Sequence, residues 1–137
     1  MDINLFKFHI SKLAKLGDLM SNKTLIIVSH AKDNPDKATI GFTLANASLE
    51  RGNKTILALM SEGVRLSVRG YADDINEGEP FKPLKELLAG VINNPNGSLY
   101  VCKPCFVKRK LSETHVVSSS KFVTGADVVQ LLEDGYS

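Results

Sequence analysis

The stretch "TLIIVSHAKDNPDKATIGFTLANASLERGNKTILALM", Thr24 to Met60, decides the fold class of this 137-residue chain. Its two ends, "TLIIVS" and "TILALM", are continuous apolar and β-branched runs, which are typical of strands buried on both faces of a parallel sheet. Between them, Asn34 can cap a helix, Pro35 suits its first position, and Arg51 and Gly52 suit its end. Two buried strands joined by a helix predict a βαβ unit with parallel strands.

The same alternation continues toward the C-terminus. Pro83 opens a helix with one apolar face formed by Leu84, Leu87, Leu88 and Val91. "SLYVC" is a third buried strand, and "TGADVVQLLEDG" is a last helix in which Thr124 and Asp127 resemble a capping box. We therefore predict an α/β fold, a single three-layer domain whose mainly parallel sheet is flanked by helices. Its predicted strands are Leu25–Ser29, Thr55–Met60 and Leu99–Cys102.

Residues 1–20 are predicted to be an N-terminal amphipathic helix or extension, which leaves residues 21–137 as the α/β domain. Apolar residues recur there at helical spacing, with lysines between them: Leu5, Phe6, His9, Ile10, Leu13, Leu16 and Met20. This helix can pack on its own domain or on a partner subunit, or lie on a membrane surface. Its lysines interrupt the apolar core that a secretion signal needs.

Composition excludes several classes of protein. The net charge of +2 is too small to predict nucleic-acid binding, and no window approaches the roughly 18 apolar residues of a membrane helix. Two cysteines in 137 residues are too few for a disulfide scaffold and suit a reducing compartment. We expect a cytoplasmic protein with neither nucleic acid nor membrane as its partner.

Both cysteines lie in "SLYVCKPCFVKRKL", Ser98 to Leu111. Cys102 ends the third strand, and the carboxyl ends of parallel strands are where ligands and chemistry gather. Pro104 suits the start of a helix, which would place Cys102 just before the helix and Cys105 in its first turn. The helix dipole and the positive charge of Lys103 and Arg109 would then stabilise a thiolate. Burial at the sheet edge would oppose this effect. If the site opens to solvent, we expect the Cys102 thiol to be reactive and its pKa to lie below the ~8.5 of free cysteine.

Other roles for the cysteine pair remain open at this point. A zinc site needs four ligands, and His9, His30 and His115 have no paired spacing, so we expect no metal. A dithiol redox pair also lies at a helix N-terminus, although thioredoxin-like chains carry theirs after an early strand. Inert buried thiols are the third alternative, because free cysteine is among the most buried residue types.

Two other residues follow strands at the same predicted edge of the sheet. His30 follows the first strand and can face Cys102 for proton transfer, or can be an exposed loop histidine. Glu62 follows the second strand and can accept a hydrogen bond at the site, or can cap the next turn.

Three stretches resemble one protein family. "LYVCKPCFVKRKL" resembles the cysteine motif of the DsrE/DsrF-like family of sulfur-relay proteins, and of its YchN-like branch in particular. "LALMSEGVRLSVRG" looks like the family's second strand and the segment after it, and "SHAKDNPDKATIGFTLANASLERG" looks like its first loop and helix. The similarity extends from about Lys23 to Gly135.

The resemblance implies a compact α/β domain that assembles into trimers or hexamers and uses no cofactor. It implies that Cys102 carries sulfur as a persulfide, that Cys105 is the second cysteine of some members, and that Arg109 is the motif arginine. The chain would then be a sulfurtransferase that takes sulfur from a donor protein and passes it to an acceptor. A dithiol redox module and a non-catalytic oligomeric binding or scaffold protein are the competing functions.

Three features depart from the family pattern. Lys110 stands where the family has glycine after the motif arginine, so we expect the local turn to differ. Many members have a further strand after the last helix, whereas this sequence ends at Ser137. Residues 1–20 are not part of the pattern.

Overall fold

The computed structural model describes residues 22–137, so the predicted helix over residues 1–20 lies outside the described residues. Four parallel strands form one sheet in the order β1-β2-β3-β4. Their bounds are Lys23–Val28, Lys54–Leu59, Gly97–Cys102 and Ser120–Val123. The predicted α/β fold with a parallel sheet is confirmed. β4 is a strand that the sequence did not predict, and it forms one edge of the sheet.

Within residues 22–137, four α-helices connect or follow the strands: α1 (Pro35–Glu50), α2 (Leu84–Ile92), α3 (Lys103–Lys108) and α4 (Gly125–Glu133). Short 3-10 helices cover Ser61–Ser67, Tyr71–Asp74 and Glu113–His115. The predicted start of α1 is confirmed, because the Asn34 side chain accepts a hydrogen bond from the Lys37 N–H at 3.2 Å. The capping box of α4 is also confirmed, since the Thr124 N–H donates to Asp127 Oδ2 at 2.8 Å.

The main core lies between the sheet and the pair α1 and α2. Alternate residues of the central strands point into it, including Leu57, Leu59, Leu99 and Val101. From α1 they meet Phe42 and Ala45, and from α2 they meet Leu84 and Val91. Gly41 of α1 lies so close to the Val28 side chain that a Cβ at position 41 would overlap it. The absence of a side chain therefore sets how closely α1 approaches the sheet.

The C-terminal segment returns the chain to the other edge of the sheet. After α4, the Ser137 N–H donates to the Lys23 carbonyl, and the Leu25 N–H donates to the Ser137 carbonyl, both at 3.1 Å. This exchange is the hydrogen-bond pattern of a parallel pair. Tyr136 lies near Tyr100 of β3. Tyr100 stands between the core residues Leu99 and Val101, so its side chain points to the opposite face of the sheet. Helices thus flank both faces of the sheet.

Candidate functional site

The cysteine pair lies where β3 becomes α3. Cys102 is the last residue of β3 and the cap of α3, and Cys105 lies in the first turn, as the sequence predicted. Pro104 occupies that first turn, where a missing N–H does no harm. Cys102 is only 6% exposed and belongs to the core, whereas Cys105 is half-buried. Both thiols are free.

In the closed site, the pKa of Cys102 shifts in the direction opposite to that predicted for a site open to solvent. Burial raises the pKa of the Cys102 thiol, because a thiolate there would lose its hydration. The neighbouring Cys105 thiol raises this pKa further, and the Cys105 backbone N–H and the Arg109 charge oppose the rise with smaller effects. The helix terminus and the basic residue thus act as expected, but desolvation is stronger. In this closed arrangement burial favours the neutral Cys102 thiol over the thiolate and so raises its pKa.

The basic residues around the pair are compensated by carboxylates from other elements. Lys103 Nζ lies 3.2 Å from Glu113 and 5.5 Å from the centroid of the Phe122 ring. Arg109 Nε donates to Glu62 Oε1 at 2.7 Å. No sequence pattern indicated Glu113, whereas Glu62 accepts a hydrogen bond at the site, as one of its two alternatives predicted.

Arg109 attaches α3 to the segment that follows β2. Besides Glu62, its guanidinium donates to the Cys105 carbonyl at 3.1 Å and to Ser61 Oγ at 3.3 Å. Ser61 is a site residue that no sequence pattern indicated. The Arg109 side chain is only 16% exposed, so these bonds are largely shielded from water. They hold the first turn of α3, and with it Cys105, in place.

Glu62 accepts hydrogen bonds from two arginines. Arg65 Nε donates to its other carboxylate oxygen, again at 2.7 Å. The bonds from Arg109 and then from Arg65 hold the Glu62 pKa below its usual value. The alternative role of Glu62 as a helix cap is not seen, because the 3-10 helix Ser61–Ser67 has no side-chain capping bond. Glu62 instead joins that 3-10 helix to α3.

Two residues beside the site have left-handed backbone conformations. Ser61 has φ = 50° and Lys110 has φ = 55°. The family glycine is expected at position 110, so the left-handed turn that a glycine would favour is present here with a lysine. A lysine in this conformation is strained, because its Cβ lies too close to the backbone.

His30 does not lie beside Cys102. It follows β1, and β2 separates β1 from β3 in the sheet. His30 Nδ1 instead lies 2.8 Å from Asp33 Oδ2, and the other oxygen of Asp33 accepts the Ala31 N–H at 2.7 Å. The Ala31 bond and then the His30 bond lower the pKa of Asp33. His30 thus stabilises the loop before α1, as the loop alternative predicted, and the alternative contact with Cys102 is not made.

The chemistry available at this site is that of two neighbouring thiols. Within residues 22–137 no three or more histidine, cysteine or acidic side chains are grouped so that they could hold a metal ion. None of the described helices is both long enough and apolar enough to span a membrane. A thiol pair of this kind can take up a sulfur atom or form a disulfide.

Comparisons with known proteins agree with this fold. The sequence profile of the DsrE/DsrF-like family matches residues 22–137. Among solved structures, the crystal structure of the YchN protein from E. coli is similar, with a TM-score of 0.68 and 20% sequence identity. The match covers 83% of this chain and 94% of the YchN chain. No curated protein matches closely enough to be called a relative. The family match spans most of the sequence and the entire described domain, and the chain belongs to the DsrE/DsrF-like family.

Proposed function

We propose that this protein is a sulfur-relay protein that carries persulfide sulfur on Cys102 and passes it to a partner protein. The observation that carries the proposal is a thiol at the carboxyl end of β3 with a second thiol in the next helical turn, in a chain of this family. In the loading step, the Cys102 thiolate attacks the outer sulfur of a donor persulfide. The donor S–S bond breaks, the donor leaves as a thiolate, and Cys102 becomes a persulfide.

The closed site limits when this step can occur. Cys102 is almost fully buried and its pKa is raised, so few thiolates are present and little of the sulfur is accessible. Loading therefore requires α3 to move away from the end of β3. Arg109 and Glu62 control that movement in our proposal, and the Arg109 charge favours the thiolate once it forms. Lys103, at the exposed start of α3, would meet the partner.

The test is incubation with an inorganic polysulfide or a low-molecular-weight persulfide, followed by intact-mass and peptide-mapping mass spectrometry. The wild-type chain and Cys105→Ser should each gain one sulfur on Cys102, and Cys102→Ser should gain none. Circular dichroism of both variants controls for folding. Retention of sulfur by Cys102→Ser at the wild-type level would refute the assignment of Cys102 as the carrier.

A dithiol redox module is the second candidate, favoured by the closeness of the two thiols. The Cys105 thiol lies near enough to Cys102 to raise its pKa. A disulfide between them would release two electrons and two protons to an oxidant such as another disulfide. In the polysulfide experiment, a Cys102–Cys105 disulfide with no retained sulfur would support this candidate. No reaction at neutral pH would support a scaffold role instead.

We further propose that the protein is cytoplasmic, forms a trimer or hexamer, and exchanges sulfur with donor and acceptor proteins. The support is family membership, because proteins of the family are often oligomeric. Light scattering at micromolar protein concentration tests the assembly. A monomeric mass there would count against it.

A further inference from the structure

The face of the sheet opposite the main core is open at β1. Ile27 of β1 pairs with Ala58 of β2, and Ala58 pairs with Tyr100 of β3, so these three side chains point to that face. Ala58 is 1% exposed, whereas Ile27 is 52% exposed. The fold thus covers this face at β2 and leaves an apolar side chain uncovered at β1.

The helix α4 has exposed apolar residues of its own on this face. Val128 is buried and Leu131 is half-buried, so they mark the side of α4 that packs on the sheet. At about 100° of rotation per residue, Leu132 and Val129 follow on one flank of that side, and Asp127 lies on the other flank. Val129 and Leu132 are 54% and 53% exposed.

The apolar flank of α4 faces β1. The chain crosses from β4 through α4 to the far edge of the sheet, where the Ser137 N–H donates to the Lys23 carbonyl of β1. Crossovers between parallel strands are right-handed, and in that hand the flank of Leu132 and Val129 is turned toward β1. Ile27, Val129 and Leu132 therefore border one apolar surface, which we call the β1–α4 surface.

Residues 1–20, which lie outside the described residues, join the domain beside this surface. β1 begins at Lys23, and Ile27 follows about 13 Å further along the strand. α4 ends near the same point, since Lys23 Nζ donates to the Asp134 carbonyl at 3.1 Å. A 20-residue helix, which the sequence predicts here, spans about 30 Å, whereas the nine residues of α4 span about 14 Å. The segment is therefore long enough to cover the surface.

The charge pattern of the segment also fits this position. Because the segment ends where β1 begins, a helix there would run in the same direction as α4 and antiparallel to β1. Lys12 and Lys15 lie along one flank of its predicted apolar stripe. With the stripe against β1 and α4, that flank is turned toward Glu133, an exposed residue beside Val129.

We propose that residues 1–20 of the same chain pack as an amphipathic helix on the β1–α4 surface, beside α4. The apolar stripe of the segment covers Ile27, Val129 and Leu132. Attachment at the start of β1 keeps the segment next to the surface, which favours this contact over one with a second copy or with a membrane. The inference does not depend on sulfur chemistry and stands whether or not Cys102 carries sulfur.

Leu44 of α1 provides a matched control. It is 56% exposed, close to the 53% of Leu132, and α1 packs on the opposite face of the sheet. The body of α1 stands between Leu44 and the sheet. A segment that lies along β1 beside α4 therefore does not reach Leu44.

Hydrogen exchange of the full chain, read by mass spectrometry at low and at high micromolar concentration, tests the contact. In the wild type, amides of residues 5–20 should exchange at least about tenfold more slowly than in an unstructured peptide, at both concentrations. Leu132→Glu and Ile27→Glu place a charge in the contact and should remove this protection, whereas Leu44→Glu should leave it unchanged. Leu13→Glu, in the segment itself, should speed exchange of the α4 amides. Circular dichroism verifies that every variant is folded.

Other outcomes overturn the inference and identify what replaces it. Residues 5–20 that exchange as fast as an unstructured peptide refute the contact, as does protection that survives both Leu132→Glu and Ile27→Glu. Protection that appears only at the high concentration assigns the segment to a second copy. Protection that appears only with phosphatidylserine vesicles assigns it to a membrane surface. Persulfide loading of Cys102 would be unaffected by any of these results.

Discussion

Glu62→Gln is the substitution that best tests how α3 is held over the cysteine site. Glu62 accepts one charge-assisted hydrogen bond from Arg109 and one from Arg65, both at 2.7 Å. A bond to a charged group contributes roughly 1 kcal/mol more than a neutral one. Two such bonds give a loss of about 2 kcal/mol, which we reduce to about 1–2 kcal/mol because the Glu62 side chain is 33% exposed and water screens it. The melting temperature should fall by about 3–8 °C.

The loss of stability in Glu62→Gln should depend on pH in a defined direction. The Glu62 pKa is lowered in the folded state, so its stabilising effect is present above the unfolded pKa of about 4.3. The effect is lost as pH falls through the lower folded value. The difference in unfolding free energy between wild type and Glu62→Gln should therefore be constant from about pH 6 to 8 and shrink below about pH 4.

Urea denaturation of wild type, Glu62→Gln and Glu77→Gln at several pH values measures this difference. Glu77 is an exposed loop residue with no hydrogen bond from its side chain among the described contacts, so its variant is the matched control. The rate of Cys102 alkylation in a Cys105→Ser background should rise in Glu62→Gln, because α3 is held less firmly. If Glu62→Gln is as stable as Glu77→Gln, or if the loss persists undiminished at pH 3, the attachment of α3 through Glu62 is wrong.

Three further predictions concern thiols and backbone. With iodoacetamide, Cys105 in the Cys102→Ser variant should react faster than Cys102 in the Cys105→Ser variant. The pH midpoint of the Cys102 alkylation rate should lie above that of free cysteine, and a lower midpoint would contradict the argument that burial raises its pKa. Lys110→Gly should stabilise the protein by about 0.5–1 kcal/mol in urea denaturation by relieving the left-handed strain, and a destabilised variant would exclude that strain. Gly41→Ala should destabilise it by about 1–3 kcal/mol through overlap with β1, whereas Gly125→Ala, with open space around it, should be neutral or slightly stabilising; equal melting temperatures would refute this contrast.

The parts of the fold that could be predicted are those encoded in neighbouring residues. Buried runs at Thr24–Ser29 and Thr55–Met60 gave β1 and β2, and the cap residues Asn34 and Thr124 located two helix starts. β4 was missed because Ser120–Val123 is only four residues long and half polar, and so lacks a strand pattern of its own. Its partner β3 supplies the hydrogen bonds that make it a strand.

At the cysteine site, too, features encoded in neighbouring residues could be predicted, and contacts between distant residues could not. The order of strand, Cys102, Pro104 and Cys105 is local, and the structure has it as predicted. The Glu62–Arg109 pair joins residues 47 positions apart, and no spacing rule reveals it. Of the two alternatives for His30, the loop histidine agrees with the structure, and the contact with Cys102 is not made. His30 follows β1 and Cys102 ends β3, and no local pattern shows that β2 lies between these strands.

The burial of Cys102 has a consequence for a relay of sulfur between proteins. A persulfide on an exposed thiol would be lost to any thiol in solution by exchange. A persulfide on Cys102, which is 6% exposed, would be shielded from such competitors while α3 is closed. In the proposed relay, contact with a partner would move α3, break the bonds of Arg109 to Glu62 and Ser61, and expose the sulfur. The helix that makes Cys102 a poor nucleophile in isolation would thus be the element that limits sulfur transfer to the docked partner.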